Sequence, residues 1–208
     1  MDPIADAVAA VRRGELIVLP TDTVSGIGAA THDPAATARL FAAKRRPRDL
    51  ILPVLAATLE VARTLARFDD RAEILATALW PGPLTLVLPR APVSLAWDLG
   101  GGAGTIGLRV PSHPLALAVL SAAGPMATTS ANRSGAPPAG TCDELHAAFG
   151  DLVAVYLCQE LPLAGTASTV VDLTHGDARI LRAGGVGADR VEQLLAAGAP
   201  LLDSPPPG

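Results

Sequence analysis

No apolar run in this sequence approaches the roughly eighteen residues that a membrane-spanning helix requires, although half of its residues are apolar and its mean hydropathy is +0.38. Ala, Leu and Val spread along the chain account for that average, which is the composition of a soluble chain with a buried core. A secretory start is also missing, because the first residues carry Asp2 and Asp6 where a basic segment and an apolar block belong. The cytoplasm is therefore the expected location. Cysteine is scarce: Cys142 and Cys158 have no CxxC spacing, and His32, His113, His146 and His175 stand singly. These spacings indicate neither a disulfide framework nor a structural zinc site, and no metal-ligand set is expected.

Positive charge is lacking as well. The formal net charge is −4, which excludes a nucleic-acid coat protein, since phosphate affinity comes from clustered Lys and Arg. The one basic cluster is Lys44-Arg45-Arg46-Pro47-Arg48, either a solvated helix end or a phosphate site. No Gly-x-Ser-x-Gly motif, no glycine loop followed by GKS or GKT, and no nucleophilic triad is present. Gly100-Gly101-Gly102-Ala103-Gly104 lacks the strand and helix that flank a dinucleotide loop and reads as a linker.

What is there fits one α/β domain. At 208 residues and 21.1 kDa the chain buries a single core, expected over residues 1–200, with 201–208 as a flexible tail. Asp2-Pro3 and Asp33-Pro34 each pair an N-cap with proline at the first helical position. Residues 16–19, 52–55, 84–88, 105–110, 126–129, 152–157, 168–173 and 179–181 read as strands. Helices are expected over 58–65, 69–79, 114–123, 141–149 and 191–197 in addition to the two Asp-Pro openings. This alternation predicts a twisted mixed sheet with flanking helices and a concave cavity, its ligand loops at strand ends.

Four polar clusters interrupt the apolar scaffold. Residues 20–28, Pro-Thr-Asp-Thr-Val-Ser-Gly-Ile-Gly, supply hydroxyls and two glycines, as a ligand loop or as a plain turn. Lys44 and Arg46, at alternate positions, offer two cations to one phosphate chain. Thr105, Gly107 and Arg109 share a strand face, and an Arg there needs a carboxylate ligand or a salt bridge. The last cluster joins Thr128-Thr129-Ser130-Ala131-Asn132-Arg133-Ser134-Gly135 with Ser168-Thr169 and Ile180-Leu181-Arg182. Cations plus hydroxyls suit binding a polyanion and an amino acid, rather than covalent catalysis.

In their order these clusters, together with Trp80-Pro81-Gly82-Pro83-Leu84-Thr85, Arg109-Val110-Pro111 and Ser168-Thr169-Val170-Val171-Asp172, resemble the YrdC/Sua5 family over about residues 5–187. The resemblance implies the short, YrdC-like form of an L-threonylcarbamoyladenylate synthase, a nucleotidyltransferase acting on L-threonine, bicarbonate and ATP. Its product, threonylcarbamoyl-AMP, serves t6A modification of adenosine 37 in tRNA. By position the resemblance implies Lys44, Arg46, Thr105, Ser130, Asn132 and Arg182 around ATP, with Lys44 and Arg46 catalytic. It implies Thr23, Arg109, Thr128 and Ser168 around L-threonine. Mg²⁺ accompanying ATP, weak RNA contact and downstream tRNA threonylcarbamoyl-transfer proteins are further implications. The chain departs from the family's usual residues at Ser25, Leu50, Leu55, Pro138 and Ala167, which bears on amino-acid selectivity. Two other readings stay open: a nucleotide- or RNA-binding module without full synthase activity, and a carbamoyl-adenylate enzyme with another acceptor.

Overall fold

A computed structural model describes residues 2–102, 104–133, 135, 139–158, 163 and 165–198. In chain order the elements are α1 (Pro3–Arg12), β1 (Ile17–Leu19), β2 (Gly26–Ala30), α2 (Pro34–Lys44), β3 (Val54–Leu55), α3 (Leu59–Leu65) and α4 (Asp70–Leu79). These are followed by β4 (Leu84–Pro89), α5 (Pro92–Leu95), β5 (Thr105–Arg109), α6 (Pro114–Ala123) and β6 (Met126–Ser130). The last are α7 (Cys142–Phe149), β7 (Val155–Tyr156), β8 (Thr169–Asp172), β9 (Arg179–Arg182) and α8 (Ala188–Gly198). No helix among the described residues is long and apolar enough to cross a membrane. The expected tail, 201–208, as well as Ser134 and Pro138, lies outside the described residues.

Both Asp-Pro openings are helix starts. Asp2 accepts from the Ile4 amide at 3.0 Å and Asp33 from the Ala35 amide at 2.8 Å, each satisfying one of the donors a helix leaves unpaired at its first turn. At its other end α2 stops at Arg45, which takes the left-handed conformation with φ 51°. That reversal turns the chain between Lys44 and Arg46.

Among the described residues nine strands form one mixed sheet in the order β7-β1-β2-β6-β3-β5-β4-β8-β9. Parallel pairing joins β1 to β7, β3 to β5 and β4 to β8, while the other neighbours run antiparallel. The twisted mixed sheet expected from the alternation is present. β2 is absent from the expected strands, because Gly26-Ile27-Gly28-Ala29-Ala30 has neither alternation nor strand-favouring residues apart from Ile27. Those glycines have a packing reason. A Cβ on Gly26 would stand 2.8 Å from Thr128 Cγ2 of the neighbouring β6, and one on Gly28 would stand 3.0 Å from its Oγ1.

The period of two then divides the sheet between core and cavity. Leu84, Leu86 and Leu88 of β4, Ile106 and Leu108 of β5 and Val171 of β8 are buried with Leu40, Leu65 and Leu75 of α2, α3 and α4. Thr85 and Val87, Gly107 and Arg109, and Ser168 and Val170 alternate with them and line a cavity. A second cluster packs α1 and α6 against Ile17, Leu19 and Met126. One correction concerns the cysteines: Cys142 and Cys158 are joined in a disulfide, with Cα atoms 5.6 Å apart. Sequence spacing gave no sign of it, because the start of α7 meets the end of β7 only in the fold.

Leu108 sits with no exposure between β3 and β4. Leu108→Ala is expected to destabilise the chain by about 3 kcal/mol, transfer loss plus cavity. Urea unfolding monitored by circular dichroism measures it.

Candidate active site

Arg109 ends β5 with its guanidinium almost wholly buried, its side chain 7% exposed. A charge so placed must be satisfied by hydrogen bonds. Its Nε donates to the Gly82 carbonyl at 3.0 Å, Nη1 to Thr23 Oγ1 at 2.9 Å and Nη2 to Asp22 Oδ1 at 2.6 Å. Thr21 braces this loop, its Oγ1 lying 2.9 Å from Thr23 Oγ1 and donating to the Val24 carbonyl at 2.7 Å. Asp22 Oδ1 also accepts from the Ser112 amide, while Oδ2 is buried without a hydrogen-bond partner. Burial pulls the Arg109 pKa below the usual guanidinium value, with Asp22 opposing.

A second group gathers on β4, β8 and β9. Thr85 Oγ1 and Ser168 Oγ are 2.8 Å apart, both buried. Arg182 donates through Nε and Nη2 to the Ser168 carbonyl at 3.0 and 2.8 Å, and through Nη2 to Ser168 Oγ at 2.9 Å. Behind them a Cβ on Gly184 would lie 2.3 Å from the Ala167 carbonyl oxygen and 2.4 Å from the Ser168 carbonyl carbon, so only glycine lets the chain pass there.

The third group is built on a buried ammonium. Lys44 Nζ donates to the Ser130 carbonyl at 2.6 Å, to the Asn132 carbonyl, and to Asn132 Oδ1 at 3.0 Å, which matches its three N–H bonds. Ser130 Oγ donates to Asn132 Oδ1 at 2.5 Å. Burial, and secondarily the neighbouring Arg46, lower the Lys44 pKa to about 8. Arg46 turns the other way and donates to the carbonyls of Leu50 at 3.3 Å and Ile51 at 2.9 Å.

These groups surround a cavity of about 370 Å³. Its described lining includes three guanidiniums, Arg46, Arg109 and Arg182, along with hydroxyls from Thr21, Thr23, Thr85, Thr128, Thr129, Ser130 and Ser168, and contains no carboxylate. Arg109 is compensated by Asp22. Arg46 and Arg182 donate only to carbonyl and hydroxyl oxygens in the hydrogen bonds described, so their charge is available to an anion.

The family described as "Telomere recombination", which takes in the Sua5, YciO and YrdC proteins, matches residues 9–184. A Mycobacterium tuberculosis protein is 44% identical over 200 residues, covering 96% of this chain and 92% of its own length. The chain belongs to the Sua5/YciO/YrdC family. The Pyrococcus abyssi threonylcarbamoyl-AMP synthase is 36% identical over 187 residues. The structure of P. abyssi Sua5 complexed with L-threonine superposes with a TM-score of 0.87 at 34% identity, over 93% of this chain and 58% of that one. The present chain thus spans little more than half of the archaeal protein.

Against the residues expected from the Sua5/YciO/YrdC resemblance, the cavity brings together Thr23, Arg46, Arg109, Thr128, Ser130, Ser168 and Arg182. Three expected at ATP stand outside its lining. Lys44 and Asn132 form the polar bracket under the Ser130 loop, and the left-handed turn at Arg45 is what parts Lys44 from Arg46. Thr105 begins β5, at the opposite end from Arg109, where its carbonyl accepts from Arg90 Nε. Of the departures from the family pattern, Leu55 and Ala167 line the cavity, whereas Ser25 and Leu50 are outside the lining and contribute backbone acceptors to Ala131 and Arg46. Asp22, Gly82, Thr85 and Gly184 were not singled out from sequence. Asp22, Gly82 and Thr85 lay within quoted motifs, but only the fold shows that Asp22 and Gly82 serve Arg109 and that Thr85 meets Ser168.

Asp22→Ala leaves the Arg109 charge buried with no carboxylate. The expected cost is about 3–5 kcal/mol of folding stability. Chemical denaturation of the variant beside the parent chain measures it, and a loss under about 1 kcal/mol contradicts the pairing argument.

Proposed function

We propose that this chain is an L-threonylcarbamoyl-AMP synthase, and the observation that carries the reading is a cavity with three guanidiniums and no carboxylate in its described lining. Such a cavity selects for anions. The family relationship narrows the choice to a nucleotide and an amino acid, as do the name of the P. abyssi relative and the L-threonine in its Sua5 structure. The reaction is a condensation in two parts. The threonine amine bonds to the bicarbonate carbon with loss of water, giving a carbamate. A carbamate oxygen then attacks the α-phosphorus of ATP, the α–β phosphoanhydride bond breaks, and pyrophosphate leaves.

In this proposal Arg109 takes the threonine carboxylate with its remaining N–H bonds, and Thr23, Thr128 and Ser168 supply hydroxyls around the amino acid. Arg46 and Arg182 neutralise charge on the phosphates as it shifts toward the leaving pyrophosphate. Ser130 meets the nucleotide on a loop that Lys44 and Asn132 hold in position. Arg182 contacts Ser168, so the two substrates meet where these two residues stand. Positioning and electrostatics supply the catalysis. The described lining offers Mg²⁺ no carboxylate, so an ion accompanying ATP would be held by phosphate oxygens and waters. The product passes to proteins that transfer the threonylcarbamoyl group to tRNA.

Pyrophosphate release tests the reading. It is expected to require ATP, L-threonine and bicarbonate together, and Arg182→Ala is expected to raise the KM for ATP by about tenfold or more through loss of a charge-assisted contact. Release without threonine would contradict the synthase assignment.

Lys44 adds a pH dependence. Below about 8 its ammonium supplies three donors to three acceptors, and above it the neutral amine supplies two. Turnover is therefore expected to fall as pH rises through about 8, and Lys44→Met is expected to be slower and to lack this step. A pH–rate profile of both proteins measures it.

A further inference from the structure

Away from the cavity, the start of α7 and the end of β7 bring together two sulfurs and an imidazole. Cys142 is the first residue of α7 and His146 stands four residues on, so the two share a helix face. Cys158 lies two residues past the end of β7. One ligand atom from each of the three residues lies within 4.8 Å of the other two. Tyr156 stacks on the His146 ring with centroids 3.7 Å apart and planes at 29°, and its hydroxyl donates to the Gly150 carbonyl at 2.8 Å. The imidazole is thereby oriented by the strand that also leads to Cys158. None of the three side chains lines the cavity.

Two thiolates and an imidazole are a soft donor set, suited to Zn²⁺ rather than to Mg²⁺ or Ca²⁺. With Zn–S near 2.3 Å and Zn–N near 2.0–2.1 Å, tetrahedral geometry places the ligand atoms roughly 3.6–3.8 Å apart. In the oxidised chain the two sulfurs are bonded to each other with an imidazole nitrogen within 4.8 Å of both, so opening the disulfide lets the sulfurs part toward that spacing beside the ring. The local pattern Cys142-Asp143-Glu144-Leu145-His146 supplies two ligands from one helical turn, and the fold supplies the third.

We propose that, when the Cys142–Cys158 bond is reduced, Cys142, His146 and Cys158 bind one Zn²⁺, leaving a fourth position to water or another ligand. A dithiol reductant opens the bond by exchange, ends as a cyclic disulfide and leaves two thiols on the protein. Zn²⁺ then forms two Zn–S bonds and one Zn–N bond, and the two thiol protons pass to solvent. Disulfide and metal use the same sulfurs, so each state excludes the other. Either one ties the start of α7 to the end of β7. In a compartment that keeps thiols reduced, the metal is the tie that can persist.

The full chain, reduced anaerobically with a water-soluble phosphine, which takes oxygen from water and ends as its oxide while leaving the same two thiols, is loaded with Zn²⁺, desalted and assayed for zinc and for free thiols. About one zinc per reduced chain is expected, and none on the oxidised chain. His146→Gln and the double variant Cys142→Ser/Cys158→Ser are expected to lower affinity at least tenfold, by removing one ligand and two ligands respectively. Co²⁺ in place of Zn²⁺ is expected to give a thiolate charge-transfer band with the reduced parent chain alone. Reduced parent chain that retains no zinc overturns the proposal, as does zinc held equally by oxidised and reduced chains. That comparison needs no variant to fold.

Discussion

A guanidinium buried at the end of β5 has to be satisfied from several directions at once, and the segments that satisfy Arg109 are the ones that build the cavity wall. Asp22 and Thr23 come from the loop between β1 and β2, Gly82 from the turn before β4, and the Asp22 carboxylate is held in turn by the Ser112 amide. Each contact is short in space and long in sequence. Desolvating the charge is costly, so the arrangement favours one conformation of these loops over others. A binding surface results in which one cation is already compensated and two others, Arg46 and Arg182, face the cavity with only neutral oxygens as hydrogen-bond partners.

The same economy of hydrogen bonding organises the opposite wall. Lys44 is 2% exposed and spends its donors on Ser130 and Asn132, so its ammonium shapes the loop that carries Ser130 into the cavity lining. Arg45, in the left-handed conformation, makes this division possible by sending Lys44 and Arg46 to different tasks. Glycine contributes by absence of a side chain. Gly26 and Gly28 leave room for Thr128, and Gly184 lets backbone pass against Ser168.

Much of this was legible in the sequence where the determinants are local. Asp-Pro openings gave α1 and α2, and apolar runs between turn residues gave β1, β4 and β5 close to their observed bounds. Thr105, Gly107 and Arg109 were placed on one strand face, and Gly107 and Arg109 do line the cavity. What was not legible depends on tertiary contact. β2 lacks any strand-like pattern because its neighbours, rather than its composition, demand its glycines. Alternate spacing of Lys44 and Arg46 said nothing of their separate hydrogen-bond partners, Ser130 and Asn132 for the one and Leu50 and Ile51 for the other, on either side of the left-handed Arg45. Cys142 and Cys158 looked solitary because the proximity of α7 and β7 is a property of the sheet order.

In the proposed reaction the cavity joins an amino acid, as its carbamate, to the α-phosphate of ATP. Mass spectrometry of the products formed from ATP, bicarbonate and a panel of amino acids tests it most directly, because it reads the reaction and the amino acid together. The expected product is threonylcarbamoyl-AMP, formed only when ATP, bicarbonate and L-threonine are all present and lost in Arg109→Ala. An adduct formed preferentially with another amino acid, or the absence of any carbamoyl-AMP species, would contradict it.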